Sequence, residues 1–432
     1  MTEVSGTQRI TVARARLSRL QWLLPSTGLL GWLVLLVGGA GLLLYALLLV
    51  VTALTAGELP LGFGGPWFTG DKVVAGVIAA AAVVSGMTAL FYGLRGVVRF
   101  SRSTPAATAD VVRTEARLRR GPHVVAIGGG TGLATLLRGL KHHTSNLTAI
   151  VTVADDGGSS GLLRRDMGVL PPGDIRNCLV ALADDESLMS RLFQYRFANG
   201  GLEGHSFGNL FVAAMAAVTG DFERAVEEST HVLKVRGTVL PATLENVVLR
   251  AEMRGGGEVI GESCITACGL LPLRISLAPE APRALPQALA AIAEADLVTL
   301  GPGSLFTSVI PNVLIPEVAQ ALRTTRARVV YVCNVMTQPG ETDAFSAADH
   351  VEALYRHGMA GLIDDVVVND TPVSGSLAEV YERSGARPIA VDDDRLAALG
   401  VRVVHARVAS GGDFFRHDPG ALADVVLRLA KS

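Results

Sequence analysis

Two uncharged apolar runs, residues 29–54 and 73–94, stand apart from the rest of the chain. An α-helix needs about 20 apolar residues to cross the hydrocarbon core of a bilayer, and both runs exceed that. The pattern therefore predicts a two-helix transmembrane hairpin over residues 29–94. A secretory signal would have a shorter apolar region closed by a small-residue cleavage site. A soluble core seldom tolerates two such runs without polar edges. Neither run holds an ionisable residue that would mark a transport path, so the hairpin reads as an anchor.

From His123 onward the pattern changes. Short strand-like runs (124–127, 147–153, 297–300, 329–333 and 366–369) alternate with stretches of helical period. Strands alternating with helices predict an α/β fold with a doubly wound, mostly parallel sheet. Residues 238–262 break the alternation and read as a β-rich insertion with a hairpin at Arg254-Gly255-Gly256-Gly257. The expected organisation is a basic N-terminus (1–28), the hairpin (29–94), a linker (95–120) and a cytosolic domain (121–432). Within the linker, residues 101–109 are Ser, Arg, Thr, Pro and Ala with no apolar period.

Charge orients the hairpin. Arg9, Arg14, Arg16 and Arg19 precede the first span; Arg95, Arg99, Arg102, Arg113, Arg117, Arg119 and Arg120 follow the second. The loop between them offers Glu58, Asp71 and Lys72. The positive-inside rule then puts both termini in the cytoplasm, in a two-pass inner-membrane protein, with Trp22, Trp67 and Phe68 near the span ends. The arginines of 113–120 suit anionic lipid. Overall charge is only −2, which excludes a general nucleic-acid binder. Lysine occurs four times, at 72, 141, 234 and 431, so phosphate chemistry must lean on arginine, backbone amides or a metal ion. Cys178, Cys264, Cys268 and Cys333 have no zinc-site spacing and fit reduced thiols of a cytosolic domain.

Candidate chemistry gathers at strand ends. Gly128-Gly129-Gly130-Thr131-Gly132 lies between a strand and a helix, which aims backbone amides and the positive end of a helix dipole at an anion. It is neither a P-loop nor the dinucleotide fingerprint, because no Gly-Lys-Ser/Thr follows and Leu133 stands at the third glycine position. The next strand ends in Asp155-Asp156-Gly157-Gly158-Ser159-Ser160, a turn whose carboxylates suit a ribose, a base edge or hydrated Mg²⁺. Pro171-Pro172-Gly173-Asp174-Ile175-Arg176-Asn177 leads into a helix, with Asp174 a candidate cap and Arg176 able to reach an anion. Gly204-His205-Ser206 opens another helix, and Gly301-Pro302-Gly303-Ser304 repeats the strand-to-glycine-loop junction, with Asn312 shortly after. Ligands of doubly wound sheets sit beyond the carboxyl ends of the strands, where these loops would converge. No Gly-x-Ser-x-Gly elbow supports a serine hydrolase. His142, His143, His350 and His357 lack metal-ligand spacing.

In chain order these motifs, with Val235-Arg236-Gly237-Thr238-Val239-Leu240-Pro241 and Cys333-Asn334-Val335-Met336-Thr337-Gln338-Pro339-Gly340-Glu341-Thr342, resemble the gluconeogenesis factor (YvcK-type) family of UDP-sugar-binding proteins over about residues 121–430. More distantly the glycine loop and paired aspartates are similar to 2-phospho-L-lactate transferase, CofD. The resemblance implies a Rossmann-like fold that binds UDP-N-acetylglucosamine or a related UDP-sugar such as UDP-glucose. It also implies a role in cell-wall precursor supply and cell shape under gluconeogenic growth, through a cell-wall synthesis partner. A homo-oligomer is expected. On the family pattern, Thr131, Asn312, Tyr381 and Arg416 contact the nucleotide sugar. The alternative is a transferase of phosphorus-containing groups, with Asp155 and Asp156 as catalytic candidates holding Mg²⁺; a nicotinamide oxidoreductase lacks an identifiable catalytic group. Two departures stand out. Family members are expected to be soluble, which would make the hairpin an addition, and Pro419 stands where relatives carry a phosphorylatable threonine after Arg416-His417-Asp418.

Overall fold

The computed structural model describes residues 29–54, 72–103, 113–184, 188–373, 375–411 and 414–431. The basic N-terminus with its Arg9, Arg14, Arg16, Arg19 and Trp22, the loop 55–71 between the spans, and residues 104–112 of the expected linker lie outside the described residues. The chain divides into two compact units, Met1–Arg113 and Thr114–Ser432.

Among the described residues the first unit holds two helices, α1 (Leu29–Leu54) and α2 (Lys72–Ser103). Segments Gly31–Val51 and Gly76–Arg95 are long and apolar enough to cross a membrane. The helices meet through small residues. A Cβ on Gly39 would come within 2.9 Å of the Gly86 carbonyl oxygen, and one on Gly93 within 2.9 Å of the Leu36 side chain. Such close backbone approach is how apolar helices associate where burial from water supplies no drive. Val34, Val37, Leu44, Val77, Val84 and Leu94 are exposed, as side chains facing lipid would be. The sequence placed the linker from residue 95, but α2 continues to Ser103. Arginine at 95, 99 and 102 is a good helix former, and Pro105 is the first residue that cannot continue the helix.

The second unit is built on a seven-stranded sheet. In chain order its first strands are β1 (Val124–Gly128), β2 (Leu147–Val151) and β3 (Thr238–Pro241). An inserted antiparallel sheet follows, made of β4 (Val248–Met253), β5 (Glu258–Ile260) and β6 (Pro272–Ala278). The main sheet resumes with β7 (Leu297–Leu300), β8 (Arg328–Val332), β9 (Asp365–Asn369) and β10 (Arg402–Ala406). Its spatial order is β10-β9-β8-β7-β1-β2-β3, and every pairing is parallel. A small ribbon of β11 (Ala409–Gly411) and β12 (Phe415–His417) follows.

The strands read as continuous apolar runs because both sheet faces are covered. Successive side chains point to opposite faces. Along β1, Val125 and Ile127 enter one core with Ile150, Leu300 and Tyr331, whereas Val124 and Ala126 enter the other with Leu133, Leu137, Ile175 and Leu179. The predicted 238–262 insertion is misplaced at its start. Residues 238–241 are β3 of the main sheet, paired with β2, and the insertion proper runs from β4 to β6. The expected hairpin at 254–257 does join β4 to β5. His357 ties the insertion to the core by accepting a hydrogen bond from the Ile275 amide at 2.9 Å.

The strand order reverses beside β1. From β1 the chain steps outward through β2 to β3; it then returns to β7 on the other flank of β1 and steps outward to β10. The loops leaving β1 and β7 diverge from this point, and the crevice between them is where such sheets bind ligands.

A candidate nucleotide-sugar cleft

The residues after β1 turn at once into helix α3 (Gly130–Leu140). Its N-cap, Gly129, offers no side-chain cap, and Gly130 has a φ of +65°, which favours glycine. Opposite lies the loop after β7. A Cβ on Gly132 would sit 2.7 Å from the Pro302 carbonyl oxygen and 2.9 Å from the Gly303 nitrogen, so the two glycine loops touch backbone to backbone. Asn312 holds this junction from below. Fully buried, it donates to the Gly128 carbonyl at 3.2 Å and the Ser308 carbonyl at 2.7 Å.

Above the junction opens a cleft of about 700 Å³. Gly129, Gly130, Thr131 and Gly132 line one side, and Gly303, Ser304, Thr307 and Ser308 another. The segment after β8 closes a third: Gln338 donates to the Ser304 hydroxyl at 2.8 Å, and Asn334 accepts from the Gly303 amide at 3.4 Å. Tyr381, on the helix Gly375–Arg383, accepts at its hydroxyl from the Phe415 amide (2.9 Å), which fixes β12 at the rim. Arg416 lies there with its guanidinium 4.6 Å from the centre of the Phe414 ring.

The floor is acidic. Asp155, Asp174, Glu262 and Glu341 all line the cleft. Burial, then the neighbouring Asp155, push the Asp174 carboxyl up to about 6, although the Gly130 amide donates to it. Burial followed by Asp155 and Asp156 pushes Glu262 up to about 7. Burial raises Glu341 to about 7 against the Phe306 and Thr307 amides, which donate to it at 2.8 and 3.1 Å. A raised carboxyl keeps its proton in the folded chain at a pH where the unfolded chain has lost it, so stability falls as pH rises through that window. Buried His350, His357 and His417, lowered from the ordinary histidine value, oppose this as their unfolded-state protons leave near pH 6.5, whereas His405, raised by its hydrogen bonds to Asp370 and Asp393, adds to the fall. Across pH 6.5 to 8 the two glutamates set the sign. Thermal unfolding of residues 114–432 should therefore occur at a higher temperature at pH 6.5 than at pH 8, and Glu262→Gln should flatten that difference.

The structure sorts the expected site residues. Thr131, Gly129, Gly130, Gly132, Asp155, Gly303, Ser304, Tyr381 and Arg416 line the cleft. Gly128 and Gly301 are buried just behind it at the strand ends. Asn312, expected to touch ligand, lies buried behind the cleft; its amide nitrogen donates to two carbonyls of the glycine loops, while its Oδ1 has no partner. Asp155 and Asp156 are not a chelating pair. Asp156 caps the helix Glu262–Ala267, accepting from the Glu262 amide at 3.1 Å and the Ser263 amide at 2.9 Å. Among the described residues no three His, Cys, Asp or Glu side chains are arranged to hold a metal ion. Asp174 is no cap; it sits in the first turn of the helix Gly173–Leu182 and faces the glycine loop. Arg176, Asn177 and His205 gather elsewhere, around Ser206 and Ser159. His205 bonds Ser159 rather than acting with Ser206 as hydrolase parts. Glu262, Thr266, Glu341 and Phe414 were missed as site residues, although Glu341 lies in a motif read from the sequence.

Known proteins are similar to this chain in sequence and fold. Residues 124–409 match the family described as 2-phospho-L-lactate transferase CofD. The gluconeogenesis factor of Bacillus subtilis is 49% identical over 312 residues, covering 72% of this chain and 98% of that protein. A crystal structure of a Bacillus halodurans protein superposes with a TM-score of 0.70 at 47% identity, covering 71% of this chain and all of that one. A Nostoc sp. gluconeogenesis-factor relative is 46% identical over 424 residues, covering 94% of this chain and 92% of its own. That span reaches well into the apolar N-terminal part, so the hairpin region is not an addition peculiar to this chain. On the family match, these identities and the superposition, the chain belongs to the CofD family, among its gluconeogenesis factors.

Proposed function

We propose that the cleft binds UDP-N-acetylglucosamine or a closely related UDP-sugar, and that the two apolar helices anchor this binding unit to the inner membrane with both flanks cytoplasmic. The observation that carries the reading is the meeting of two glycine loops at the strand-order reversal, with an uncapped helix start on one side and an arginine on the rim. The amides of the first turn suit a phosphate. Ser304, Gln338 and Asn334 suit sugar hydroxyls, and Phe414 offers a flat apolar face beside Arg416. A volume of about 700 Å³ is of the size that encloses a ligand of this kind. The Mg²⁺ expectation narrows to Asp155. Magnesium usually takes one or two carboxylates and completes its shell with water and phosphate oxygens, so a single aspartate beside a diphosphate is enough. In the cell the bound sugar would report cell-wall precursor supply to a partner in wall synthesis, and so influence cell shape under gluconeogenic growth.

Titration calorimetry with UDP-N-acetylglucosamine and Mg²⁺ tests the reading. Wild type is expected to bind saturably. Thr131→Val, which removes one neutral hydrogen bond, should weaken binding about 3- to 10-fold, and Arg416→Ala, which removes a charge-assisted one, more than 10-fold. Absence of heat and of any thermal shift with every UDP-sugar tried would sink it. Release of pyrophosphate from UTP and N-acetylglucosamine 1-phosphate by the same protein, forming UDP-N-acetylglucosamine, would show instead that the cleft transfers a nucleotidyl group.

A further inference from the structure

Three of the sequence motifs meet at a place the cleft does not use. Arg176 is only 8% exposed. One of its terminal nitrogens donates to the Ser206 hydroxyl at 2.7 Å, the other to the Asn177 side-chain oxygen at 2.7 Å, and its Nε has no partner. Next to Ser206, His205 shares a hydrogen bond of 3.1 Å with Ser159. Asn209, 2% exposed, turns its amide toward the Ser160 hydroxyl and leaves Oδ1 without a partner.

A buried guanidinium is costly unless a counter-charge compensates it. Among the described residues no carboxylate lies within ion-pair distance of Arg176. Asp174 and Asp155 favour its charge from farther off, while Arg196 opposes it. Among the described residues Arg196 donates to the Gly204 carbonyl, at 3.0 Å. Two guanidiniums thus face one another's field, and the more buried one has a free donor. The Nε itself is shut off from solvent, behind side chains that are only partly covered. Asn177 and His205 are half-buried, and at Gly158 and Gly204 a Cβ would meet nothing within 4 Å. The ten-residue helix Gly158–Met167 starts here from Gly157 with no side-chain cap, so its first amides face the same opening.

We propose that Arg176, with Asn177, His205 and Ser159, forms a second anion subsite that takes the carboxylate or phosphate group of a small ligand. The anion accepts from the Arg176 Nε, from the half-buried side chains at the mouth and from the helix start. It lies beside Asp155 and Asp174 and so adjoins the cleft floor, but it does not depend on what occupies the glycine loop. A protein with both sites filled would hold two anionic groups on either side of the acidic floor.

The test is local. The full chain in detergent micelles carries ¹³C-labelled histidine, and the His205 ring signal is identified by its loss in His205→Gln. Sodium phosphate and sodium acetate are titrated separately at constant ionic strength. A saturable shift of the His205 signal is expected with at least one of them; phosphate alone would identify a phosphate-bearing ligand, acetate alone a carboxylate. Arg176→Gln should weaken the shift at least 10-fold, whereas Thr131→Val should leave it unchanged. If Arg176→Gln does not fold, Ser206→Ala serves, with an expected loss of about 3- to 10-fold, because the hydroxyl that positions the guanidinium is gone. No saturable shift with either anion overturns the proposal. So does a wild-type response in the folded variants, or loss of the shift in Thr131→Val.

Discussion

Gly132→Ala is expected to reduce UDP-sugar binding about 100-fold, equivalent to about 3 kcal/mol. The reason is backbone contact. An added Cβ would meet the Pro302 carbonyl at 2.7 Å and the Gly303 nitrogen at 2.9 Å, neither of which can rotate away as a side chain would. The two loops must part, which displaces Thr131 on one wall and Ser304 on the other. Overpacking of this kind also costs about 1–3 kcal/mol of stability. Gly201→Ala is the control, because its Cβ would meet nothing within 4 Å and its backbone is not left-handed. Calorimetry and thermal unfolding, run on both variants, check the pair. Wild-type affinity in a folded Gly132→Ala protein would mean that ligand does not use the glycine junction.

The second large effect is on stability. Asp365→Ala should destabilise residues 114–432 by about 3 kcal/mol, the low end for breaking a buried pair. Asp365 opens β9 with a wholly buried carboxylate, bonded to Arg328 on β8 and to the Nε of Arg402 on β10 at 2.5 Å. It therefore joins three neighbouring strands, one of them the sheet's edge. Removing it leaves two arginines without their common partner, although both reach solvent and so moderate the loss. Chemical denaturation of the isolated unit measures the change, and a loss under 1 kcal/mol would show that β10 is held by its backbone ladder alone.

The hairpin was legible because length and lack of charge suffice to predict a span. The parallel sheet was legible too, because strands covered on both faces become uninterrupted apolar runs. Glycine loops showed themselves through the residue type that close backbone approach requires. What stayed hidden depends on pairs far apart in the chain. Asp156 looks like half of a metal pair until the helix it caps arrives 106 residues later. Glu341 becomes a cleft acid only because the Phe306 and Thr307 amides meet it across 34 to 35 residues. Residues 238–241 read as part of an insertion because one strand of four residues carries no sign of the neighbour it will join. Asn312 was expected at the ligand; that its amide nitrogen would reach two carbonyls from a buried position could not be read from its residue type.

The carboxyl of Asp174 already accepts the Gly130 amide at the start of the helix that would greet a phosphate. It acts as a resident competitor. Any anion entering the glycine loop must displace this carboxyl, protonate it or bring a cation to neutralise it. A lone inorganic phosphate gains little else in return, whereas a ligand that also engages the rim and the Ser304 wall offsets the displacement with contacts of its own. On the proposed reading, discrimination against small anions is thereby built into the loop, before any part of the sugar is read.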